Sequence, residues 1–140
     1  MEILLDTVTV SELRKAERMD ISVKAWQAAI GGRPVYLSVI TMNEIRFGIG
    51  KLENRDPEFA ELLKRWYSSL ISQSELFRLI DVNLSIAEQA ADYRCIHGLS
   101  YDDSLIAATA EIHGLVVATR NVSDFEKSGV RIVNPWEYAK

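Results

Sequence analysis

Three large aliphatic residues in succession, Ile3-Leu4-Leu5, end abruptly in Asp6-Thr7. Successive side chains of a strand point to opposite faces, so a half-buried strand alternates apolar and polar residues. An unbroken apolar run instead describes a strand covered on both faces, which leads to a parallel sheet with helices packed on each side. Ligands of such sheets bind beyond the carboxyl ends of the strands, so Asp6 is expected on the edge where chemistry is done. An aspartate there also suits a turn or a helix cap, and both readings of Asp6 stand.

The rest of the chain alternates between helical and strand patterns. Thr9 to Met19 reads as a helix, with Glu12 three residues after Thr9 in the spacing of a capping box. Asp20 caps a second helix that carries Val23, Trp26 and Ile30 and stops at Gly31-Gly32. Val35 to Ile40 is the second strand, and Thr41 with Glu44 repeats the capping-box spacing ahead of a helix to about Leu52. Asp56-Pro57 opens the next helix, whose stripe Phe59, Leu62, Leu63, Trp66 and Leu70 is read as core or helix-pair packing. Phe77 to Val82 is the third strand, Ser85 to Ile96 a helix, and Ser100 to Ile112 an Ala-rich helix. Leu115 to Ala118 is the fourth strand, followed by a short turn or helix through Asp124-Phe125. Val130 to Val133 is the fifth, stopped by Asn134-Pro135-Trp136. Five buried strands alternating with helices give an α/β class: one domain over residues 1–140, a five-stranded parallel sheet inside a three-layer α/β/α sandwich. At 140 residues, 48% of them hydrophobic, the length and composition suit a single core of that kind.

Composition removes other chemistries. Cys95 is alone, so no internal disulfide forms, and one Cys with two His provides neither zinc ligands nor a Cys-His nucleophile pair. Both histidines precede a Gly at a helix end, where the dipole and a left-handed cap explain them. There is no phosphate loop of the G-x-x-x-x-G-K type, and no apolar run approaches the ~18 residues of a membrane span. No stretch resembles a secretory leader, which makes the cytoplasm the expected compartment. The net charge of -4 argues against indiscriminate nucleic-acid binding, while a basic rim around an acidic centre stays compatible with it.

Carboxylates remain. Asp6 follows the first strand, Glu44 stands early in the helix after the second, Asp102 and Asp103 open the Ala-rich helix, and Asp124 follows the fourth strand. Glu12, Glu44 and Asp103 each lie three residues after Ser or Thr, so each has a capping role open to it, worth ~1 kcal/mol. Capping does not explain why several acids gather on one sheet edge. Like charges gathered there raise one another's pKa unless a cation is present. A hard divalent ion such as Mg²⁺ takes one or two carboxylates, keeps waters and completes its shell with phosphate oxygens.

The segments LLDT, VSELRK, SVITMNEIRFGI, HGLSYDDSLIAATAEIHGLVVATRNVSDF and NPW resemble, in order and spacing, the PIN-domain ribonuclease toxins of VapBC-type toxin-antitoxin modules, FitB-like members included. This resemblance covers nearly the whole chain. It implies a small parallel α/β/α sandwich whose three or four acids bind Mg²⁺ or Mn²⁺ and cleave RNA, with transfer RNA a frequent target. It also implies a VapB-like antitoxin, a homodimer, contact with DNA only through the antitoxin, and no membrane. Carried over by position, the acids are Asp6, Glu44 and Asp103. The fourth falls on Asp124 or on Asn121. Asp102 is expected to point about 100° away from Asp103 on the helix and to stand outside the site. Thr7, Thr119 and Asn121 are candidates for supporting the acids, and Arg14, Lys15, Arg18, Arg46 and Arg120 for contacting phosphate.

One departure matters. Where the family reads Asp-Thr-Asn, this chain has Asp6-Thr7-Val8, losing an amide that could support the first acid; Thr7 or Thr9 is the candidate replacement. A second class of function therefore stands beside the nuclease, a catalytically weakened PIN-like module acting through antitoxin binding or DNA-complex assembly. A phosphoacceptor domain is disfavoured, because paired acids after the first strand and a Lys after the fifth are both missing.

Overall fold

The computed structural model describes residues 1–140. Five parallel strands, β1 (Ile3–Leu5), β2 (Val35–Ser38), β3 (Phe77–Ile80), β4 (Val116–Ala118) and β5 (Ile132–Val133), form one sheet in the order β3-β2-β1-β4-β5. The helices are α1 (Thr7–Leu13), α2 (Ile21–Ile30), α3 (Val39–Leu52), α4 (Pro57–Ser72), α5 (Leu84–His97), α6 (Tyr101–His113) and α7 (Val122–Glu126). No helix is long and apolar enough to cross a membrane.

The apolar run of β1 does what its lack of alternation requires. Leu4 enters one core with Ile86, Tyr93, Ile106, Val117 and Phe125, beneath α5, α6 and α7. Its neighbours Ile3 and Leu5 enter the opposite core with Val10, Trp26, Leu37, Ile49 and Leu70, beneath α1 to α4. Leu4 and Leu5 are both fully buried, each contributing ~2 kcal/mol of burial free energy. Ala107, Ala108 and Ala110 face the first core with no exposed surface, and their small side chains let α6 lie close to the sheet. With β1 central and its neighbours ending at the same level, the carboxyl ends of β2, β1 and β4 share one edge.

Several boundaries differ from the sequence reading, each for a local reason. Helix α1 starts at Thr7 rather than Thr9, because Asp6 is its cap and accepts the Thr9 N–H. It ends at Leu13 rather than Met19: Ala16 takes a left-handed φ of 53°, and a short 3₁₀ turn, Ala16–Arg18, follows. Strand β2 stops at Ser38 rather than Ile40, since the Ser38 hydroxyl accepts the Ile40 N–H at 3.0 Å and opens α3 there. The expected stripe on α4 is only partly core. Leu70 is buried and Leu63 and Trp66 pack at its margin, but Phe59 and Leu62 are exposed. Gly98 and Gly114 take left-handed caps after His97 and His113, as the His-Gly pairs suggest.

Candidate active site

Asp6 is the last residue before α1, and its N–H still bonds to the Ala118 carbonyl, so strand pairing fixes its backbone. Its side chain is then held at both oxygens. Oδ1 accepts the Thr9 N–H at 2.9 Å, and Oδ2 accepts the Thr119 hydroxyl at 2.6 Å. Thr119 in turn accepts the Asn121 N–H at 2.9 Å, while Thr9 donates its hydroxyl to the Ala118 carbonyl at 2.8 Å. Burial pushes the Asp6 carboxyl above the usual carboxylate range, and the Thr119 and Thr9 bonds offset part of that rise. Asp6 is thus both a cap and a buried, oriented acid. Val8, where the family pattern has an amide, is 53% exposed, and the support it would have given comes from Thr9 and Thr119.

Glu44 lies in α3 and reaches back towards α1. Thr7 donates its hydroxyl to Glu44 Oε1 and lies 3.2 Å from the Thr41 hydroxyl. Thr7 therefore supports Glu44 rather than Asp6. Burial raises the Glu44 carboxyl, the Thr7 bond opposes this, and the charges of Asp102 and Asp103 raise it further. The charge of Asp102 acts on Glu44, so Asp102 stands near the acids even though its 100° offset turns it away from Asp103. The offset turns Asp102 away from Asp103's direction and towards α3, whose position beside α6 is a tertiary fact.

Ser100 caps α6 by accepting the Asp103 N–H at 3.3 Å. Burial first, then the charge of Asp6, raise the Asp103 carboxyl; the Ser100 hydroxyl opposes, and Asp124 and Asp102 add to the rise. The two candidates for the fourth position, Asn121 and Asp124, are bonded to each other, and one amide serves two acids. Asn121 Nδ2 donates to Asp103 Oδ2 at 3.3 Å and to Asp124 Oδ2 at 2.8 Å. Lys127 lies 3.7 Å from Asp124, but both side chains are about half exposed, so water screens that pair.

Of the three acids at capping-box spacing, only Asp103 stands at the start of a helix. Glu44 lies within a helix that begins earlier, and so does Glu12. Although burial raises the Glu12 carboxyl, bonds from Lys15 Nζ and the Asp20 N–H, both 2.8 Å, hold it below the usual range. Glu12 therefore ties α1 to the cap of α2. The expected basic rim is uneven. Lys15 is engaged by Glu12, and Arg46 lies 3.9 Å from Glu53 on the α4 side of α3, away from the acids. Arg120 leaves the carboxyl edge and packs over the Trp136 ring, 5.4 Å from its centroid. Arg14 stands over Phe59 and Trp66, in a groove that also includes Thr7 and Glu44. Sequence reading offers the apolar stripes of residues 9–30 and 57–72 as a surface for an antitoxin helix, but it does not join them to Glu44, and it sets Asp102 outside the site.

Asp6, Glu44, Asp102, Asp103 and Asp124 come from four segments to one edge, with three of them pushed towards protonation and only a screened ion pair, Lys127 with Asp124, among them. The donor set is oxygen only, which suits Mg²⁺ or Mn²⁺ rather than zinc or copper. No three acidic or imidazole side chains close tightly enough to grip an ion unaided. Mg²⁺ fits that looseness, because it takes few carboxylates directly and keeps waters for the rest.

Comparison with known proteins agrees with this geometry. The PIN domain model matches residues 3–128. The VapC ribonuclease Y4jK of Sinorhizobium fredii is 39% identical over 140 residues, covering 98% of this chain and 99% of that protein. Toxin FitB of Neisseria gonorrhoeae is 33% identical, with coverage of 96% and 98%. A solved structure of FitAB bound to an IR36 DNA fragment superposes with a TM-score of 0.81 at 32% identity, covering 96% of each chain.

Proposed function

The chain belongs to the PIN-domain family, and from that premise we propose that it is the toxin of a toxin-antitoxin module, a divalent-metal-dependent endoribonuclease that hydrolyses RNA phosphodiester bonds. The observation that carries this reading is the gathering of Asp6, Glu44, Asp103 and Asp124 on the carboxyl edge, each raising or meeting the charge of another. Asp6 and Asp103 would hold the ion most directly, with Glu44 and Asp124 reaching it directly or through water. Such an ion, when bound, supplies Lewis acidity at the phosphate and makes water a better nucleophile.

The residues themselves do the positioning. Thr119 and the Thr9 N–H hold the Asp6 oxygens in one orientation, so that no rotamer search precedes substrate binding. Glu44, half-buried and beside other acids, has its carboxyl pKa raised, which suits a group that orients or deprotonates the attacking water. Asn121 keeps Asp103 and Asp124 at a fixed spacing. Single-stranded or looped RNA, such as that of transfer RNA, fits an open edge better than a duplex does. A VapB-like antitoxin is the expected partner, with DNA reached through it, and a second copy of the chain completes a homodimer. The exposed Phe47, Leu84 and Ile96 offer apolar surface for such assembly.

The test is cleavage of a mixed transfer-RNA and ribosomal-RNA pool by antitoxin-free protein in Mg²⁺, Mn²⁺ or EDTA, beside Asp6→Asn. Asn caps helices as well as Asp, so the variant keeps its fold. Discrete, metal-dependent fragments that vanish in the variant are expected. Folded protein that leaves the RNA intact in every metal would favour the binding module, with Val8→Asn as the first reversion to make.

A further inference from the structure

Between α1, α3 and α4 runs a groove of about 280 Å³ that starts at Thr7 and Glu44, inside the acid cluster, and continues over Leu63, Phe59 and Trp66. Arg14 stands in it, its guanidinium 5.6 Å from the Phe59 centroid and 5.8 Å from that of Trp66. Arg14 forms no ion pair, and Glu12, the acid whose charge acts on it, is taken by Lys15 and the Asp20 N–H. Its N–H groups are not sealed from solvent either, as no buried side-chain nitrogen lacks a partner. The groove thus offers two aromatic rings, a planar cation lying over them with donors to spare, and an open path to the acids. Phe59 stays 36% exposed on a helix whose apolar stripe the core uses only in part.

We propose that this groove is a nucleotide subsite, in which one unstacked base of the RNA lies against Phe59 and Trp66 while Arg14 binds the adjacent phosphate. The proposal rests on the ribonuclease reading and deepens it. An RNA nucleotide carries a π-face and an anion a few ångströms apart on one residue, which is the pair of chemistries the groove presents. Bases stack on aromatic rings and on guanidinium planes, and an Arg fork matches phosphate oxygens. Continuity with Thr7 and Glu44 makes the bound nucleotide a neighbour of the scissile phosphate, so Arg14, Phe59 and Trp66 set which position is cut. A peptide could fill the same walls only by bringing an acidic and an apolar side chain at matching spacing, and it is the occupant the experiment must separate.

Trp66 supplies the probe, because Trp26 and Trp136 are only 3% and 5% exposed. Asp6→Asn protein, which binds without cutting, is titrated with a single-stranded RNA hexamer, an abasic hexamer of equal charge, and poly-L-glutamate. Saturable quenching by the hexamer alone is expected, absent in Trp66→Phe and weakened roughly tenfold in Phe59→Ala and in Arg14→Gln. Equal quenching by poly-L-glutamate would make the groove a peptide or general anion seat, and hexamer binding without quenching would put RNA elsewhere; either overturns the proposal. Cleavage assays in parallel separate the two claims. RNA cut by wild type and equally by Arg14→Gln and Phe59→Ala removes the subsite and leaves the nuclease. Specific quenching in a chain that cuts nothing removes the nuclease and leaves a nucleotide-binding groove.

Discussion

Replacing Asp103 with Asn should make the metal-free protein more stable. Asp103 and Asp124 each accept from the same Asn121 nitrogen, at 3.3 and 2.8 Å, and those distances end to end keep the two oxygens within about 6 Å. Two unit charges at that separation repel by ~0.7 kcal/mol in water and by ~3 kcal/mol at an effective dielectric of 20. Asp124 is about half exposed with Lys127 nearby, so the lower part of that range applies, about 1 kcal/mol. Asp6 adds repulsion from the buried side. Against this stands the ~0.5 kcal/mol that a carboxylate gains in the first turn of a helix, so repulsion wins. The Asn side chain can still accept from Asn121. In EDTA at pH 7.5, the melting temperature of Asp103→Asn should therefore exceed that of wild type by roughly 3 °C. Added Mg²⁺ should raise the wild-type melting temperature and close the gap. A variant that melts several degrees lower in EDTA would refute the electrostatic reasoning and make Asp103 a structural residue.

Asp6, Glu44 and Asp103 all have carboxyls raised in the folded state, so the folded chain holds more protons than the unfolded one between about pH 4 and their raised values. Their contribution to stability is full below that window and is lost as pH rises through it; urea unfolding in EDTA should show a smaller contribution at pH 8 than at pH 5, a difference that Mg²⁺ narrows and that Asp103→Asn diminishes. Thr119→Val removes the donor to Asp6 and the acceptor of the Asn121 N–H, which should cost ~2 kcal/mol and move the acidic limb of the cleavage pH profile upward, with Thr119→Ser restoring both. Glu12→Ala should destabilise the chain by ~1 kcal/mol by freeing Lys15 and the Asp20 N–H, while cleavage of the folded protein stays at the wild-type level.

The architecture was legible because burial on both faces leaves a mark in linear sequence. The runs of β1, β2 and β4 lack alternation, and helical patterns lie between them, so the three-layer sandwich follows from periodicity. Ends of elements were harder to read, because a side chain that bonds a nearby N–H competes with the regular pattern. Ser38 ends β2 two residues early, and Asp6 starts α1 two residues early. The acids could be found from their places after strands, and Thr7, Thr9, Thr119 and Asn121 could be named as their supports, but which acid each serves could not. That Thr7 serves Glu44 rather than Asp6, and that Asp102 faces Glu44, depend on how α3 lies beside α1 and α6. Arg46 shows the same limit, since proximity to Glu44 in sequence puts it on a different side of the helix.

The central claim, that the carboxyl-edge acids hold a divalent ion needed for RNA cleavage, is most directly tested with Mn²⁺. Its binding can be followed by electron paramagnetic resonance and RNA cleavage measured across the same concentrations, in wild type and in Asp103→Asn. Binding and activation in wild type should share one midpoint, and both should be lost together in the variant. Full-rate cleavage in EDTA, or unchanged Mn²⁺ binding in Asp103→Asn, would contradict it.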